Sequence, residues 1–260
     1  MRKRKEDNTA EIPKTDYSRI AEYYDKVRTG NVDSWLSKIV EYGRIREKCD
    51  VLDVGCGTGR FALGMSATKE CMVYALEPSI RMLEQAMAKD GSKRIFWVGG
   101  DGQRLPFQDE VFDCVYMTLV IHHVEDKELV LREIQRVLRK SGSCVIVTNS
   151  HARIKRHVIR HFPGMMALDL KRFPSIPSLK RLLAHAGLRD VHHHVCRYDR
   201  GYVSTKEYLE RVRNKYISTL TLLSEDEFQK GFQTFRRKIK KRYGEHIRQL
   251  DQFVFVVGRK

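Results

Sequence analysis

Val51-Leu52-Asp53-Val54-Gly55-Cys56-Gly57-Thr58-Gly59-Arg60, VLDVGCGTGR in one-letter code, decides the fold. Val51, Leu52 and Val54 read as a short buried strand. Three glycines follow at alternate positions, and a helical pattern begins at Arg60. A strand that feeds a glycine turn and then a helix is how α/β sheets build a ligand cradle at the carboxyl ends of their strands. Glycine has no Cβ, so the turn can be tight and its backbone can approach a ligand closely. The spacing is G-x-G-x-G rather than the G-x-G-x-x-G of dinucleotide binders. Asp53 sits just before the turn, where a carboxylate would repel a pyrophosphate but could receive a cationic ligand. An ordinary βα turn is the competing reading.

A second stretch narrows the choice. Val73 to Leu76 read as the next strand and Glu77 ends it, about twenty residues after the glycines, where a carboxylate accepts hydrogen bonds from ribose hydroxyls. Asp101 follows a third strand, Ile95 to Val98. It could accept from an adenine amino group, or it could be a turn residue in Gly99-Gly100-Asp101-Gly102.

With these residues in place the chain resembles a known family. VLDVGCGTG, ALEPSIRMLEQA, GDGQRLPFQDEVFD and IHHVEDKELVLREIQRVLRKSG are similar to successive motifs of class I S-adenosylmethionine-dependent methyltransferases. The nearest branch is the type 11 group, which includes ubiquinone and menaquinone biosynthesis methyltransferases. The likeness covers Tyr17 to Ser150; the remaining residues follow the family only in outline. It implies S-adenosylmethionine as cofactor. It also implies an α/β, Rossmann-like, mostly parallel seven-stranded sheet flanked by helices, in the order 3-2-1-4-5-7-6 with strand 7 antiparallel. It places Tyr17 and Tyr24, on a helix over Tyr17–Lys26, above the methyl donor. Asp53, Gly55, Gly57, Gly59, Glu77, Pro78, Met82, Asp101, Gly102 and Leu119 would surround the cofactor. Met82 would lie under the adenine or simply fill the core.

The length of 260 residues suits one domain with insertions or a domain plus a lid. Residues 1–16 are charged, lack an apolar run and read as a basic, disordered tail, neither a secretion signal nor a membrane span. Residues 17–198 and 249–260 read as the methyltransferase core, and 199–248 as a helical insertion, a candidate substrate lid. Six scattered cysteines with no C-x-x-C pair fit a reduced, cytoplasmic protein better than a disulfide scaffold. Charge is uneven. Residues 1–50 carry 12 basic and 10 acidic groups, residues 51–150 carry 12 and 13, and residues 151–260 carry 25 and 10. The last segment therefore holds almost all of the +16 net charge. This points to an anionic substrate or partner around the substrate entrance, or to a solvated basic surface.

Further elements follow from periodicity. Trp35 to Tyr42, Phe61 to Ser66, Ser79 to about Ala88, Lys127 to Arg139 and Ser178 to Ala186 read as helices. Val111 to Ile121 reads as a long buried strand, Cys144 to Thr148 as the fifth, Val191 to Cys196 as the sixth and Gln252 to Val257 as the last. Phe162-Pro163-Gly164 breaks a basic segment, His151 to His161. Two helical patterns, 204–216 and 224–243, fill the insertion. In the second, Phe228, Phe232, Phe235 and Ile239 share a face while Arg236, Arg237, Lys238, Lys240, Lys241 and Arg242 crowd the rest.

A sulfonium is an activated methyl donor, so the cofactor carries the chemistry and the protein aligns the acceptor. His122 and His123 fall at the carboxyl end of the fourth strand, and His122 is the candidate general base; ending the strand is the structural alternative. Tyr202 is a weaker candidate. His192-His193-His194 lacks a third ligand at metal-binding spacing and reads as a polar edge strand, so no metal is expected. The leading reading is a small-molecule methyltransferase. An RNA methyltransferase acting on tRNA through the basic half is the second, and a non-catalytic cofactor-binding regulator the third.

Overall fold

A computed structural model describes Asp25 and residues 32–68, 70–92 and 94–260. Tyr17 and Tyr24 lie outside the described residues. Seven strands run β1 (Asp50–Val54), β2 (Met72–Glu77), β3 (Ile95–Gly99), β4 (Phe112–Thr118), β5 (Leu138–Thr148), β6 (Arg189–Ser204) and β7 (His246–Arg259). They form one sheet in the order β3-β2-β1-β4-β5-β7-β6. β1 pairs in parallel with β2 and β4, β2 with β3, and β4 with β5, while β7 is antiparallel to both β5 and β6. This is the topology the resemblance implies.

Helices cover both faces: α1 (Val32–Gly43), α2 (Arg60–Thr68) and α3 (Ile80–Lys89) on one, α4 (Lys127–Val137) and α7 (Ile176–His185) on the other. Between β5 and α7 lie α5 (His151–Ile154) and α6 (Met165–Arg172); between β6 and β7 lie α8 (Thr205–Arg213) and α9 (Glu225–Tyr243). Side chains alternate across the sheet as a strand requires. Leu52, Val115, Met117, Ile146 and Val256 pack with Leu131, Ile134 and Leu179. Val51, Val73, Tyr116, Val145 and Phe255 pack with Leu36, Ile39 and Met65 on the opposite face. A third cluster is formed by the insertion: Phe228, Phe232, Phe235 and Ile239 of α9 bury themselves against Tyr208 and Val212 of α8 and against Ile159, Phe162 and Met165.

Several boundaries differ from those the periodicity predicts. β4 stops at Thr118 rather than Ile121. Leu119 takes a φ of +56°, and the His123 N–H donates to the Val120 carbonyl at 2.7 Å, so the apolar run continues as a buried turn. α4 stops at Val137, because Leu138 already pairs with Phe112 in the sheet. A helix, α6, follows the Phe162-Pro163-Gly164 break, with Gly164 at its N-cap and a φ of +76°. β6 and β7 are much longer than predicted. Their ladder runs from Arg189↔Arg259 to Ser204↔His246, with irregularities between Arg189 and His192 and between Asp199 and Tyr202. The non-sheet part of the insertion is therefore residues 205–245, carried at the tip of a long hairpin. α9 begins with a capping box, in which the Ser224 hydroxyl accepts from the Glu227 N–H and the Glu227 carboxylate accepts from the Ser224 N–H.

Gly59 shows how tightly the glycine turn is built. Its φ is +77°, and a Cβ there would lie 2.6 Å from Cη2 of Trp97 and 2.9 Å from Cβ of Ala86. Gly59→Ala is expected to cost about 2–4 kcal/mol, combining left-handed backbone strain with overpacking. A shift of the denaturant midpoint measures this; an unchanged midpoint would mean that Trp97 moves away freely.

Candidate active site

β1 and β2 end side by side, and their carboxyl ends hold the glycine turn. The N–H groups of Gly55 and Cys56 both donate to the Leu76 carbonyl, at 2.8 and 3.0 Å. Glu77, only 7% exposed, clamps the turn to the start of α3: its Oε2 accepts from the Gly57 N–H and its Oε1 from the Ser79 N–H, each at 3.0 Å. Burial raises the Glu77 carboxyl above its usual range, against those two hydrogen bonds. A carboxylate has about four lone-pair positions, so this one can accept further donors. Gly57 has a φ of +56°, and a Cβ there would meet nothing within 4 Å among the described residues, so one side of the turn is open. Thr58 donates through Oγ1 to Asp25 Oδ1 at 2.6 Å, and Asp25 Oδ2 pairs with Lys89 at 2.5 Å.

Asp53 is completely buried, and neither of its carboxylate oxygens meets a hydrogen-bond donor among the described residues. Burial pushes its pKa up to about 8; the Tyr116 hydroxyl beside it pulls the other way and the Glu77 carboxylate adds to the rise. Orphaned buried acceptors are rare and call for a partner. S-adenosylmethionine carries an ammonium at its amino-acid end and a central sulfonium joined to a ribose that bears two hydroxyl donors. Asp53, the open Gly57 and Glu77 fit that distribution of charge and donors.

The other predicted positions are more varied. Met82 is buried, with 1% of its surface exposed, and Pro78 is exposed. Asp101 is exposed and its carboxylate is occupied by Gln103, accepting from the backbone N–H at 2.9 Å and from Nε2 at 3.1 Å. That is a turn residue's role. Gly102 backs onto Val54. Leu119 lines a cavity beyond the ends of β4 and β5.

That cavity encloses about 530 Å3. Thr118, Leu119, His122 and Asn149 face it from the sheet's carboxyl ends, Trp35 and Phe61 from the α1–α2 side, and Arg211, Tyr216 and Thr219 from the insertion. His122 is 8% exposed and stacks flat on Phe173, with ring centroids 3.8 Å apart. Its neighbour His123 accepts at Nδ1 from Arg172, at 2.9 Å. Asn149 Oδ1 is buried with no donor among the described residues. His194 of the histidine triplet lies on edge strand β6, is not among the residues lining this cavity, and stacks on Tyr42 at 4.0 Å.

The basic excess divides. Arg153, Arg200 and Arg211 line the cavity; Arg236 and Lys240 line a separate groove, and Arg237 and Lys241 are exposed on α9. Sequence reasoning missed Asp25, Asn149, Arg153 and Arg211. Asn149 directly follows the fifth strand, so the rule that ligands gather at strand carboxyl ends could have found it. No local signal marks Arg211.

An open α/β sheet with this strand order, a glycine turn after β1 and a carboxylate ending β2 defines a methyltransferase-type domain. Residues 52–146 match the family described as a methyltransferase domain, and the chain is an S-adenosylmethionine-dependent methyltransferase. It is 28% identical over 185 residues to demethylmenaquinone methyltransferase of Bacillus velezensis, covering 62% of this chain and 79% of that one. It is 31% identical over 135 residues to malonyl-[acyl-carrier protein] O-methyltransferase of Legionella pneumophila, covering 51% of this chain and 45% of the relative. Among solved structures, a candidate methyltransferase from an antibiotic biosynthesis pathway of Anabaena variabilis superposes with a TM-score of 0.70 at 22% identity, covering 88% of this chain and 98% of that one. Phosphoethanolamine N-methyltransferase 2 of Haemonchus contortus, in complex with S-adenosyl-L-methionine, gives 0.60 at 17%, covering 94% and 57%. These two likenesses show the fold. Among the described residues no helix is long and apolar enough to cross a membrane.

Proposed function

We propose that the protein methylates a small, anionic acceptor held in the 530 Å3 cavity, by direct in-line transfer. The observation that carries this is the cavity's position. It lies at the carboxyl ends of β4 and β5, is lined on another side by Arg211 and residues 216–219 of the insertion, and falls in the size range of small-molecule sites. S-adenosylmethionine supplies an activated methyl group when bound. The chain's residues do the rest: Asp53, Gly57 and Glu77 hold and orient the cofactor, and Leu119, Phe61 and Trp35 shape the apolar wall. In-line orientation supplies on the order of 7–11 kcal/mol. His122, fixed by its stack on Phe173, takes the proton of an acceptor that arrives protonated. The insertion, 205–245, serves as the outer wall that excludes water.

The test is transfer of labelled methyl from S-adenosylmethionine into fractionated cell extract. Label should enter the small-molecule fraction retained on an anion exchanger. His122→Ala should lower its rate by about 10²–10⁴ with cofactor affinity unchanged. Label entering only RNA would replace this reading with the nucleic-acid one, and no incorporation into any fraction would favour the non-catalytic one.

A further inference from the structure

One wall of the cavity, beside the β6–β7 hairpin, gathers the guanidinium groups of Arg153, Arg200 and Arg211. Arg153 comes from α5, directly after β5, and Arg211 from α8 of the insertion. One carboxylate, Asp251, serves two of the arginines: Oδ1 pairs with Arg153 Nη2 at 3.0 Å and Oδ2 with Arg200 Nη1 at 3.4 Å. Asp199 is taken by Arg248 at 2.6 Å, and Asp169 accepts from Thr219 at 2.5 Å. Arg211 donates from Nη1 to Gln249 Oε1 at 3.2 Å, and its guanidinium lies 4.8 Å above the Tyr216 ring; no carboxylate pairs with it among the described residues.

Two further observations point to an absent acceptor rather than to a satisfied structural cluster. The Nε–H groups of both Arg153 and Arg211 are buried and meet no acceptor among the described residues. A buried charged donor left unmade is costly, and an oxyanion is what a planar guanidinium fork fits. His157, which lines the same cavity, accepts at Nδ1 from the Ile159 N–H at 3.3 Å, so its proton sits on Nε2 as another donor. Burial, with the charges of Arg153 and Arg211, holds its pKa well below the usual histidine range, which keeps it neutral. The tyrosines beside Arg211, Tyr208 and Tyr216, are bonded to each other and pushed up by burial, so they contribute no negative charge.

We propose that Arg153 and Arg211, with His157 beside them, form the subsite that binds the oxyanion group of the methyl acceptor, a carboxylate or a phosphate. This rests on the cavity being the acceptor site. Because one arginine comes from the core segment after β5 and the other from the insertion, binding the oxyanion also fixes the insertion against the core. The acceptor's charged end is then held on the arginine wall, and its reacting atom lies toward Leu119 and His122.

The full chain, saturated with S-adenosylhomocysteine, is titrated with inorganic phosphate and separately with succinate, at ionic strength held constant with chloride. Thermal stabilisation is the readout. One oxyanion should stabilise the protein saturably while chloride does not, and the responding arm identifies phosphate or carboxylate. Arg211→Met should weaken that response tenfold or more. Arg211→Lys, which keeps the charge and the stem but loses the fork, should weaken it by about threefold. Arg236→Glu with Arg237→Glu, on the exposed face of α9, should leave it unchanged. No saturable response to either oxyanion would overturn the subsite; so would a response that survives Arg211→Met or falls equally in the α9 variant. Titration of the same protein with S-adenosylhomocysteine stands apart: failure there overturns the methyltransferase reading, while an oxyanion response that depends on Arg211 would still stand.

Discussion

Glu77→Ala is expected to lower the affinity for S-adenosylmethionine by about ten- to hundredfold. Glu77 has one carboxylate oxygen on the Gly57 N–H and the other on the Ser79 N–H, so the side chain joins the glycine turn to the start of α3. The remaining lone pairs are free to accept ribose hydroxyls. Hydrogen bonds to a charged group contribute about 1.5–3 kcal/mol, and about 1.4 kcal/mol is a factor of ten in affinity. Glu77→Gln should be nearly as damaging. An amide has one acceptor oxygen, so either Gly57 or Ser79 would face an NH2 instead, and the turn would lose its clamp. Calorimetric titration with the cofactor measures both variants. Wild-type affinity in Glu77→Ala would mean that the ribose is held elsewhere.

Asp53 should make cofactor binding release a proton. In the free protein its carboxyl titrates at about 8, mainly because it is completely buried. A cationic group of the cofactor placed beside it favours the carboxylate, so binding near pH 7 expels the proton. Affinity should then rise by about tenfold per pH unit as pH climbs towards 8, and level off above it. The sign for stability comes from the same shift. The folded free protein keeps a proton that the unfolded chain, with an ordinary carboxyl, releases near pH 4. Folding stability contributed by Asp53 is therefore full below about pH 4 and is lost between about pH 4 and 8, by at most about 1.4 kcal/mol per pH unit. Calorimetry at pH 7 in two buffers of different ionisation enthalpy reads the proton release. Asp53→Asn should abolish that release, leave only the ligand's own ammonium titration, and flatten the acid-to-neutral stability profile. Proton release unchanged in Asp53→Asn would assign the titration to another group.

The glycine turn and the strands beside it were legible because their determinants are local. Val51, Leu52 and Val54 announce a buried strand, the positive φ of Gly55, Gly57 and Gly59 demands glycine, and Ser79 sits where an N-cap must. The strand order, with an antiparallel β7 between β5 and β6, came from likeness to a family rather than from periodicity, and the sheet has that order. Element ends were less legible, because tertiary pairing overrode them. Leu138 left its helix for the sheet, and residues 197–204 and 246–252, mostly polar, became strand because each had the other as a partner.

The proposed cofactor cradle is written into the chain: Asp53, three glycines and Glu77 lie within one βαβ unit, so their spacing along the chain fixes their spacing in space. The proposed acceptor cavity exists only once the chain has folded. Its walls come from residues as distant as Trp35, His122, Arg153, Arg211 and Asp251, and no local pattern links them. The charge excess of residues 151–260 was plain from composition. Folding alone separated Arg153 and Arg211, turned inward with buried Nε–H groups, from the exposed cations of α9. The reason is physical: Phe228, Phe232, Phe235 and Ile239 bury one face of that helix, which leaves its lysines and arginines to water, while the hairpin of β6 and β7 carries Arg211 back over the sheet's carboxyl edge.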